Sequence, residues 1–446
     1  MERAGPNSFA FAPEDFDFQE SLLPMTQREA AVEANRCLYC YDAPCMHACP
    51  THIDIPTFIR KISTGNLRGS ARTILESNFL GGTCARVCPV QELCEGACVL
   101  GADHTPIAIG RLQRYAVDHV QAKGVQLFSP APTTGMKVAV IGSGPAGISA
   151  SAELAKLGHA VTLYERRELG GGLSTYGIIV LREPVEVALR EVEAVKALGV
   201  EVRTNVELKD KEGLNALLAE YDAVFLGLGL GAVPATGIPG EEHILDGLAV
   251  IEASKMNRPT GIGARVAVIG AGNTAIDAAT VARRMGAATG MVYRRTESEM
   301  TAYRHEYEFA LHEGIKFTFL TQPVQVLSEK GRVIGLECRR MTLGTPDSSG
   351  RPRPEPVLGS EFVIPCDTVI SAIGQEKPAL AVALGLGLEG GYIAVSEGLE
   401  TNIPGVYAGG DCVRVRGSAS TVMAVQDGKI AAASIHAALA LKVAAD

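Results

Sequence analysis

The sequence has no block of basic residues and no long apolar segment, and these two absences exclude two classes of protein. The formal net charge is −9, and Lys and Arg are spread along the chain, so we expect no nucleic-acid-binding surface. No run approaches the roughly 18 apolar residues of a membrane helix, and the acidic N-terminus does not read as a signal peptide. We therefore expect a cytoplasmic protein with neither nucleic-acid nor membrane partners.

Cysteine is scarce over most of the chain. Of 11 cysteines, eight fall between Cys37 and Cys98, and such crowding indicates metal binding rather than a disulfide framework. The other three, Cys338, Cys366 and Cys412, are isolated, and we expect them to be packing residues. No CxxC pair and no nucleophile or acid-base pair stands out in the later part, so we predict no catalytic side chain and disfavour a disulfide-reductase mechanism.

The chain has 446 residues, 47% of them hydrophobic, which predicts a globular protein of two to three domains. Residues 1 to about 25 are expected to be an irregular arm, followed by a helix that Thr26 and Glu29 begin as a capping box. Helical patterns at Ile55–Lys61, Gly69–Asn78 and Ile109–Gln121 predict a small all-α domain. From Lys137 onward short β-branched runs alternate with Ala-rich runs, which is typical of a parallel α/β sheet.

The eight clustered cysteines follow a definite spacing. They read Cys37-x2-Cys40-x4-Cys45-x3-Cys49-Pro50 and Cys84-x3-Cys88-Pro89-x4-Cys94-x3-Cys98. Runs of this kind that end in Cys-Pro are typical of four-iron clusters, and eight thiols match two clusters in number. Structural zinc is the alternative, although its ligands are more often two short CxxC pairs.

Two glycine-rich units follow, each between an apolar strand and an Ala-rich helix. The first is Gly142-Ser143-Gly144-Pro145-Ala146-Gly147, followed by a strand that ends at Glu165. Its glycines permit a tight turn and close approach to a pyrophosphate, and the carboxylate accepts ribose hydroxyls. With the later turn at Gly172-Leu173 and the segment that ends in Asp411, it indicates FAD.

The second unit, from Gly270 to Ala275, follows a strand that begins at Arg265. Its next strand ends in Arg294-Arg295 where a carboxylate is usual. Two arginines favour a 2′-phosphate and hence NADPH. Because exposed arginine pairs are common, the choice between NADH and NADPH stays open.

Over essentially its whole length the sequence resembles the flavin and iron-sulfur module shared by dihydropyrimidine dehydrogenases and the glutamate synthase small subunit. Asp42-Ala43-Pro44-Cys45 and the segment from Pro106 to Gln113 are similar to the dihydropyrimidine dehydrogenase version, above all in Gln113, where the glutamate synthase type usually has Glu. The resemblance implies one 4Fe-4S cluster on Cys37, Cys40, Cys45 and Cys98, and a second on Cys49, Cys88, Cys94 and Gln113. Cys84 would then be a spectator.

The resemblance also implies the remaining binding residues. Those for FAD are Gly142, Gly144, Pro145, Ala146, Gly147, Glu165, Gly172, Leu173, Arg182, Asp411, Thr421 and Val422. Those for the nicotinamide nucleotide are Gly272, Asn273, Thr274, Arg294, Arg295, Ala372 and Gly374. The sequence departs from the family pattern at Asn273, where Asp is usual, and at Thr301, where the animal enzyme has Arg.

The expected architecture is an N-terminal all-α iron-sulfur domain, residues 1–130, followed by two Rossmann-like domains. The FAD-binding domain would comprise residues 136–242 and 365–446, with the NAD(P)-binding domain, residues 243–364, inserted in it. The resemblance implies the electron-input subunit of a dihydropyrimidine dehydrogenase, which passes electrons from NADH or NADPH to an FMN and iron-sulfur barrel subunit of the PreA type, in a heterotetramer that reduces uracil or thymine in pyrimidine catabolism. The alternative is a glutamate synthase small subunit or another NAD(P)H:acceptor oxidoreductase.

Overall fold

The computed structural model describes residues 18–346, 351–413 and 419–445, with side chains up to residue 442. Residues 1–17 lie outside the described residues. They belong to the predicted N-terminal arm and to the predicted domain 1–130. The helices are α1 (Gln27–Asn35), α2 (Pro44–His47), α3 (Ile55–Ser63), α4 (Leu67–Ser77), α5 (Gly81–Val87), α6 (Ile109–Gln121), α7 (Pro145–Lys156), α8 (Leu173–Tyr176), α9 (Val185–Lys196), α10 (Lys211–Glu220), α11 (Gly247–Lys255), α12 (Asn273–Arg284), α13 (Arg304–His312), α14 (Leu380–Ala383) and α15 (Thr421–Ala445). Short 3-10 turns are formed by Val99–Ala102, Glu241–His243 and Glu297–Glu299.

The strands, also numbered along the chain, are β1 (Lys137–Ile141), β2 (Ala160–Tyr164), β3 (Glu201–Arg203), β4 (Ala223–Leu226), β5 (Ile244–Asp246), β6 (Arg265–Ile269), β7 (Ala288–Val292), β8 (Lys316–Thr318), β9 (Thr321–Glu329), β10 (Arg332–Pro346), β11 (Pro352–Pro356), β12 (Phe362–Ile364), β13 (Thr368–Ser371), β14 (Leu388–Glu389), β15 (Tyr392–Ile393) and β16 (Val406–Ala408). With helices first and parallel sheets after them, the predicted α/β fold class is confirmed.

The N-terminal helices begin and end for local reasons that the sequence contains. The capping box predicted at the start of α1 is present, since the Thr26 backbone N–H donates to the Glu29 carboxylate at 2.7 Å and the Glu29 N–H donates to the Thr26 hydroxyl at 3.2 Å. Asp54 and Asn66 cap α3 and α4 by accepting the backbone N–H of Thr57 and of Gly69. The predicted helices at Ile55–Lys61, Gly69–Asn78 and Ile109–Gln121 correspond to α3, α4 and α6.

Two compact units divide the chain. One comprises the described residues of Glu20–Thr175, Arg182–Gly231 and Lys377–Asp446, and it contains the N-terminal helices and a parallel sheet of order β16-β4-β1-β2-β3. The Val and Ile side chains of β1 are buried on both faces of the sheet, as parallel strands between helices require. Phe79, Leu80 and Cys84 from the N-terminal helices belong to the same apolar core as β1 and α7.

The other unit comprises residues 18–19, Tyr176–Leu181 and the described part of Ala232–Glu376. It contains a parallel sheet of order β5-β13-β6-β7-β8, with α12 buried against it. An antiparallel sheet of β9 to β12 extends from it. The sequence predicts a strand near Val333–Met341, and β10 extends beyond that range at both ends. The domain boundaries given above stay a prediction. No helix in the described ranges is long and apolar enough to cross a bilayer.

Candidate functional site

Four of the clustered cysteines line one cavity. Cys37 and Cys40 follow α1, Cys45 lies on α2, and Cys98 reaches the same space from the next cysteine run. The cavity has about 390 Å³ free of protein atoms. Burial raises the pKa of the Cys37 thiol, and it raises that of Cys45 to about 11. Four thiols around an apolar cavity fit a 4Fe-4S cluster, because bound iron stabilises the thiolate form that burial alone disfavours.

A second cavity, of about 380 Å³, is lined by Cys49, Cys88, Cys94 and Gln113. The pKa of Cys88 is raised by a hydrogen bond with Cys84 and by burial, and the pKa of Cys94 is raised by burial. This group also fits a cluster, with an amide oxygen in place of the fourth sulfur. Each of the two predicted ligand sets is therefore brought together in its own cavity, and the ligation itself stays a prediction.

The orientation of Gln113 is fixed by its own amide group. This residue on α6 is only 7% exposed, and its Nε2 donates to the Gly81 carbonyl at 2.9 Å. Since Nε2 is held by that carbonyl, the side-chain oxygen is the atom left to act as a ligand. Cys84 lines the same cavity. It is therefore a possible alternative ligand, although the family pattern makes it a spectator.

The predicted flavin residues form a cradle in the same unit as both cavities. Gly142 has φ +94°, and a Cβ there would collide with the Gly227 carbonyl oxygen. The Glu165 carboxylate, at the end of β2, accepts a hydrogen bond from the Ser143 N–H at 3.0 Å. A Cβ on Gly172 would lie 2.7 Å from the Cα of Gly144, so the turn before Leu173 approaches the start of α7. These backbone approaches fit a pyrophosphate bound against glycine.

The other predicted FAD residues are spread over three elements of that unit. Arg182 and Asp411 are half-buried, and Thr421 begins α15. Val422 is buried and also lines the second cysteine cavity. One helix end thus contributes to both the predicted flavin site and the predicted cluster site.

The second glycine unit forms a similar cradle in the other unit. Gly270 has φ +136°, and a Cβ on it would collide with the Ala372 carbonyl oxygen. Gly272 begins α12, and Gly374, with φ +106°, follows β13. Because β6 and β13 are parallel neighbours, these glycines meet at the carboxyl edge of the sheet, where dinucleotides bind in this type of fold.

The departure at Asn273 has a structural counterpart. The Asn273 side-chain oxygen accepts a hydrogen bond from the Tyr303 N–H at 3.0 Å. This bond ties the start of α12 to the segment that contains Thr301, which itself lies against Gly272. Asn273 therefore stabilises the position of the segment beside the second glycine unit. The next residue, Thr274, is half-buried.

The two arginines after β7 have different environments. Arg294 is exposed, whereas Arg295 is only 7% exposed and its Nε donates to the Pro352 carbonyl at 3.1 Å. A buried guanidinium bound to backbone is a structural element, while an exposed one at the strand end can meet a ligand phosphate. The sequence pattern predicts the same role for both arginines, whereas the structure shows that only Arg294 is exposed.

Arg294→Ala should weaken NADPH binding by about tenfold to a hundredfold, because one charge-assisted contact to a phosphate is worth roughly 1.5–3 kcal/mol. NADH binding should change little in the same variant. Arg295→Ala is the matched control and should lower the Tm with no discrimination between the two nucleotides. Kd measurements with both nucleotides test this prediction. Equal losses of affinity for NADH and NADPH in Arg294→Ala would show that Arg294 does not contact the 2′-phosphate.

Sequence reasoning missed a buried carboxyl pair between α5 and α9. One carboxylate oxygen of Glu191 accepts from the Gly82 and Thr83 N–H groups at 2.9 and 3.0 Å. The Thr83 hydroxyl lies 2.6 Å from the other Glu191 oxygen and 2.5 Å from Glu183. The hydroxyl has one proton and lies between two carboxyl oxygens, an arrangement that is best satisfied when one carboxyl group is protonated and donates to the hydroxyl oxygen. Burial raises the pKa of Glu191 to about 8.

Two further charged residues on α15 were missed. Asp427 accepts a hydrogen bond from the Gly410 N–H at 2.8 Å, beside the predicted FAD residue Asp411, and burial raises its pKa to about 6. Lys429 donates to the Thr51 carbonyl at 3.2 Å and to the Ser77 carbonyl at 2.6 Å. No local pattern could have identified them, because their partners are distant in the sequence.

Comparison with known families matches almost the whole chain. Residues 14–125 match the model described as dihydropyrimidine dehydrogenase domain II, 4Fe-4S cluster. Residues 136–428 match the model described as pyridine nucleotide-disulphide oxidoreductase. The predicted 4Fe-4S, FAD and NAD(P)H cofactors are thereby confirmed.

Individual relatives are subunits of several different enzymes. The chain is 38% identical to the NADP(+)-dependent formate dehydrogenase subunit beta of Moorella thermoacetica over 88% of its own length, and it spans only 59% of that protein. It is 34% identical to the NAD-dependent dihydropyrimidine dehydrogenase subunit PreT of Escherichia coli, covering 94% of this chain and 97% of PreT. The glutamate synthase [NADPH] small chain of the same organism is 33% identical, with 98% and 97% covered.

Among solved structures, the thioredoxin reductase of T. acidophilum matches with a TM-score of 0.54 at 19% identity, covering 68% of this chain and 99% of the reductase. At that identity the likeness concerns the fold alone. It supports the α/β architecture of the covered part of this chain.

Proposed function

The chain belongs to the glutamate synthase small chain-like family, which joins a 4Fe-4S domain to a pyridine nucleotide-dependent flavin module, and we propose that it is the electron-input subunit of a dihydropyrimidine dehydrogenase. The coarser statement, an NAD(P)H-dependent FAD and iron-sulfur oxidoreductase, follows from the family itself. The proposal concerns the acceptor of the electrons.

Gln113 is the observation that carries this choice. Its side-chain oxygen is oriented by the bond from Nε2 to the Gly81 carbonyl, and it lines the cavity of Cys49, Cys88 and Cys94. The dihydropyrimidine dehydrogenase type has Gln here, whereas the glutamate synthase type usually has Glu. A neutral oxygen ligand leaves a cluster with less negative charge than a carboxylate would, so this position affects the cluster potential.

The chain's own groups are suited to electron transfer rather than to bond-making at a substrate. Bound FAD would supply the exchange between two-electron and one-electron chemistry. The glycine turn at Gly142 and the Glu165 carboxylate would position its phosphates and ribose, and the cradle at Gly270 and Gly272 would position the nicotinamide nucleotide. The cysteine sets would hold the clusters in apolar, water-poor cavities.

The pyrimidine would be reduced in a partner subunit. Two relatives of this chain, PreT and the formate dehydrogenase beta chain, are each named as a subunit. This supports an assembly of the chain with an FMN and iron-sulfur barrel protein of the PreA type. Co-expression with such a barrel subunit should give uracil- or thymine-dependent oxidation of NADH or NADPH. Oxidation that depends instead on 2-oxoglutarate and glutamine, with a glutamate synthase large chain, would establish the alternative, which the 33% identity to the small chain supports.

Anaerobic addition of NADH or NADPH to the isolated protein should bleach the flavin absorbance and then reduce the clusters. The matched variant is Gly270→Ala, in which a Cβ would collide with the Ala372 carbonyl and close the nucleotide cradle. It should lose reduction by NAD(P)H and keep cluster reduction by dithionite, because its defect lies in nucleotide binding. A wild-type flavin that neither nucleotide reduces would contradict the electron-input role.

A further inference from the structure

Asn78 is a buried amide with no hydrogen-bond partner for its side chain. It follows α4 as the C-cap residue, and it is 0% exposed. Neither its side-chain nitrogen nor its side-chain oxygen has a partner among the described residues. A buried polar group without a partner destabilises the folded protein, so an unpaired amide here indicates a ligand or an ordered group beside it.

Asn78 lines the second cysteine cavity. That cavity is also lined by the predicted cluster ligands Cys49, Cys88, Cys94 and Gln113. The rest of its wall is mostly apolar, with Ile53, Ile55 and Val422 among its residues, so it offers few polar atoms that could pair with the Asn78 amide. The unpaired amide and the predicted ligands thus belong to the lining of one cavity.

Lys429 holds Asn78 in a fixed position relative to Cys49. Its ammonium donates to the carbonyl of Ser77, the residue before Asn78, and to the carbonyl of Thr51, two residues after Cys49. The Asn78 backbone N–H donates to the Ile74 carbonyl at 2.8 Å, which closes the last turn of α4. The amide is thus held in place by its backbone while its side chain stays unpaired.

We propose that the Asn78 amide donates an N–H hydrogen bond to a sulfur atom of the cluster held in this cavity, and so raises the reduction potential of that cluster. The inference rests on the proposed ligand set of the cavity. Sulfide and thiolate sulfur are acceptors, and a donor stabilises the extra negative charge of the reduced cluster. Only the nitrogen of the amide can supply that bond.

The test is an anaerobic redox titration of the complete protein, followed by EPR, on Asn78→Ala and Asn78→Ser. In Asn78→Ala the reduced-to-oxidised ratio of one cluster at a fixed potential should fall about tenfold, or about 59 mV for a one-electron couple. Asn78→Ser keeps a donor and should restore part of the shift. The other cluster and the flavin should titrate as in the wild type.

Asn66→Ala is the matched control. Asn66 caps the opposite end of the same helix through the Gly69 N–H at 2.9 Å and does not line the cavity. It should lower the Tm through loss of the α4 cap and leave both cluster potentials unchanged. A shift shared by both variants would show that α4 acts through stability alone and would overturn the proposal.

Three other results would also overturn it. Unchanged reduction potentials of both clusters in Asn78→Ala, with both EPR signals present, would show that the Asn78 amide donates no hydrogen bond to a cluster. A shift of the flavin potential instead would assign the amide to the flavin. If the wild type has no cluster that depends on Cys94, the ligand set fails, and this failure is visible before any Asn78 variant is made.

Discussion

Cys94→Ser should remove one of the two clusters, while Cys84→Ser, in the same cavity, should keep both. A serine oxygen is a harder and poorer ligand for cluster iron than a thiolate, so losing one of four ligands should prevent assembly at that site. Iron and acid-labile sulfide per flavin should fall to about half in Cys94→Ser. NAD(P)H should still bleach the flavin, whereas electron delivery to an external one-electron acceptor should fall severalfold or more.

The Cys84 variant makes this experiment specific. Cys84 is buried and lines the cavity, and its backbone carbonyl accepts from the Cys88 N–H at 3.1 Å, so its replacement disturbs the same packing as a ligand replacement would. If Cys84→Ser loses the cluster and Cys94→Ser keeps it, Cys84 is a ligand and the set carried over from the family is wrong. If both lose it, iron content in Gln113→Ala decides whether the fourth position is held by Gln113 or by Cys84.

Glu191→Ala should lower the free energy of unfolding by about 3–5 kcal/mol. The change leaves the N–H groups of Gly82 and Thr83 without an acceptor at the buried start of α5. It also removes one partner of the Thr83 hydroxyl. Calorimetric unfolding of the anaerobic complete protein measures the loss, and Glu193→Ala, on the exposed face of the same helix, is the control that should cost less than about 0.5 kcal/mol.

The same residue should make stability depend on pH. The pKa of Glu191 is about 8 in the folded protein, against an ordinary value near 4.5 when the chain is unfolded. The folded state therefore binds the proton more tightly, so stability is full below about pH 4.5 and falls as pH rises toward 8. Glu191→Gln, which cannot ionise, should flatten this slope between pH 5.5 and 8.5; an unchanged slope would assign it to another group.

The effect of Glu191 should extend to the second cysteine cavity. Gly81, next to the two N–H groups that Glu191 holds, supplies the carbonyl that orients Gln113. Loosening the start of α5 should therefore broaden or shift the EPR signal of the cluster in that cavity and leave the other signal unaltered. This contact links α9 of the flavin part to the predicted cluster ligand through two hydrogen bonds.

Much of the fold could be predicted from local patterns. The apolar runs at Lys137–Ile141, Ala160–Tyr164 and Arg265–Ile269 are strands with those same bounds, because buried parallel strands need continuous apolar residues. The sequence also predicts a strand at Met291–Tyr293. The observed strand β7 begins earlier, at Ala288, because Thr289 and Gly290 are accommodated in the buried sheet despite a weak β pattern. The length of β10 was not predicted, because its polar, half-exposed end pairs with β11 rather than with a core.

By itself, the sequence determined the two nucleotide-binding units and the eight thiols of the iron-sulfur part, since both depend on residue types at short spacing. The spacing of the cysteines does not show that Cys49 belongs with Cys88 and Cys94 rather than with Cys45, its near neighbour. The family resemblance implies that grouping, and the tertiary structure brings these residues into one cavity. Only the tertiary structure gives Arg294 and Arg295 different environments, and it buries Asn78 and Glu191 among residues distant in the chain. The burial of a side chain and its hydrogen-bond partners depend on which helices pack together. The spacing of residues along the chain does not determine that packing.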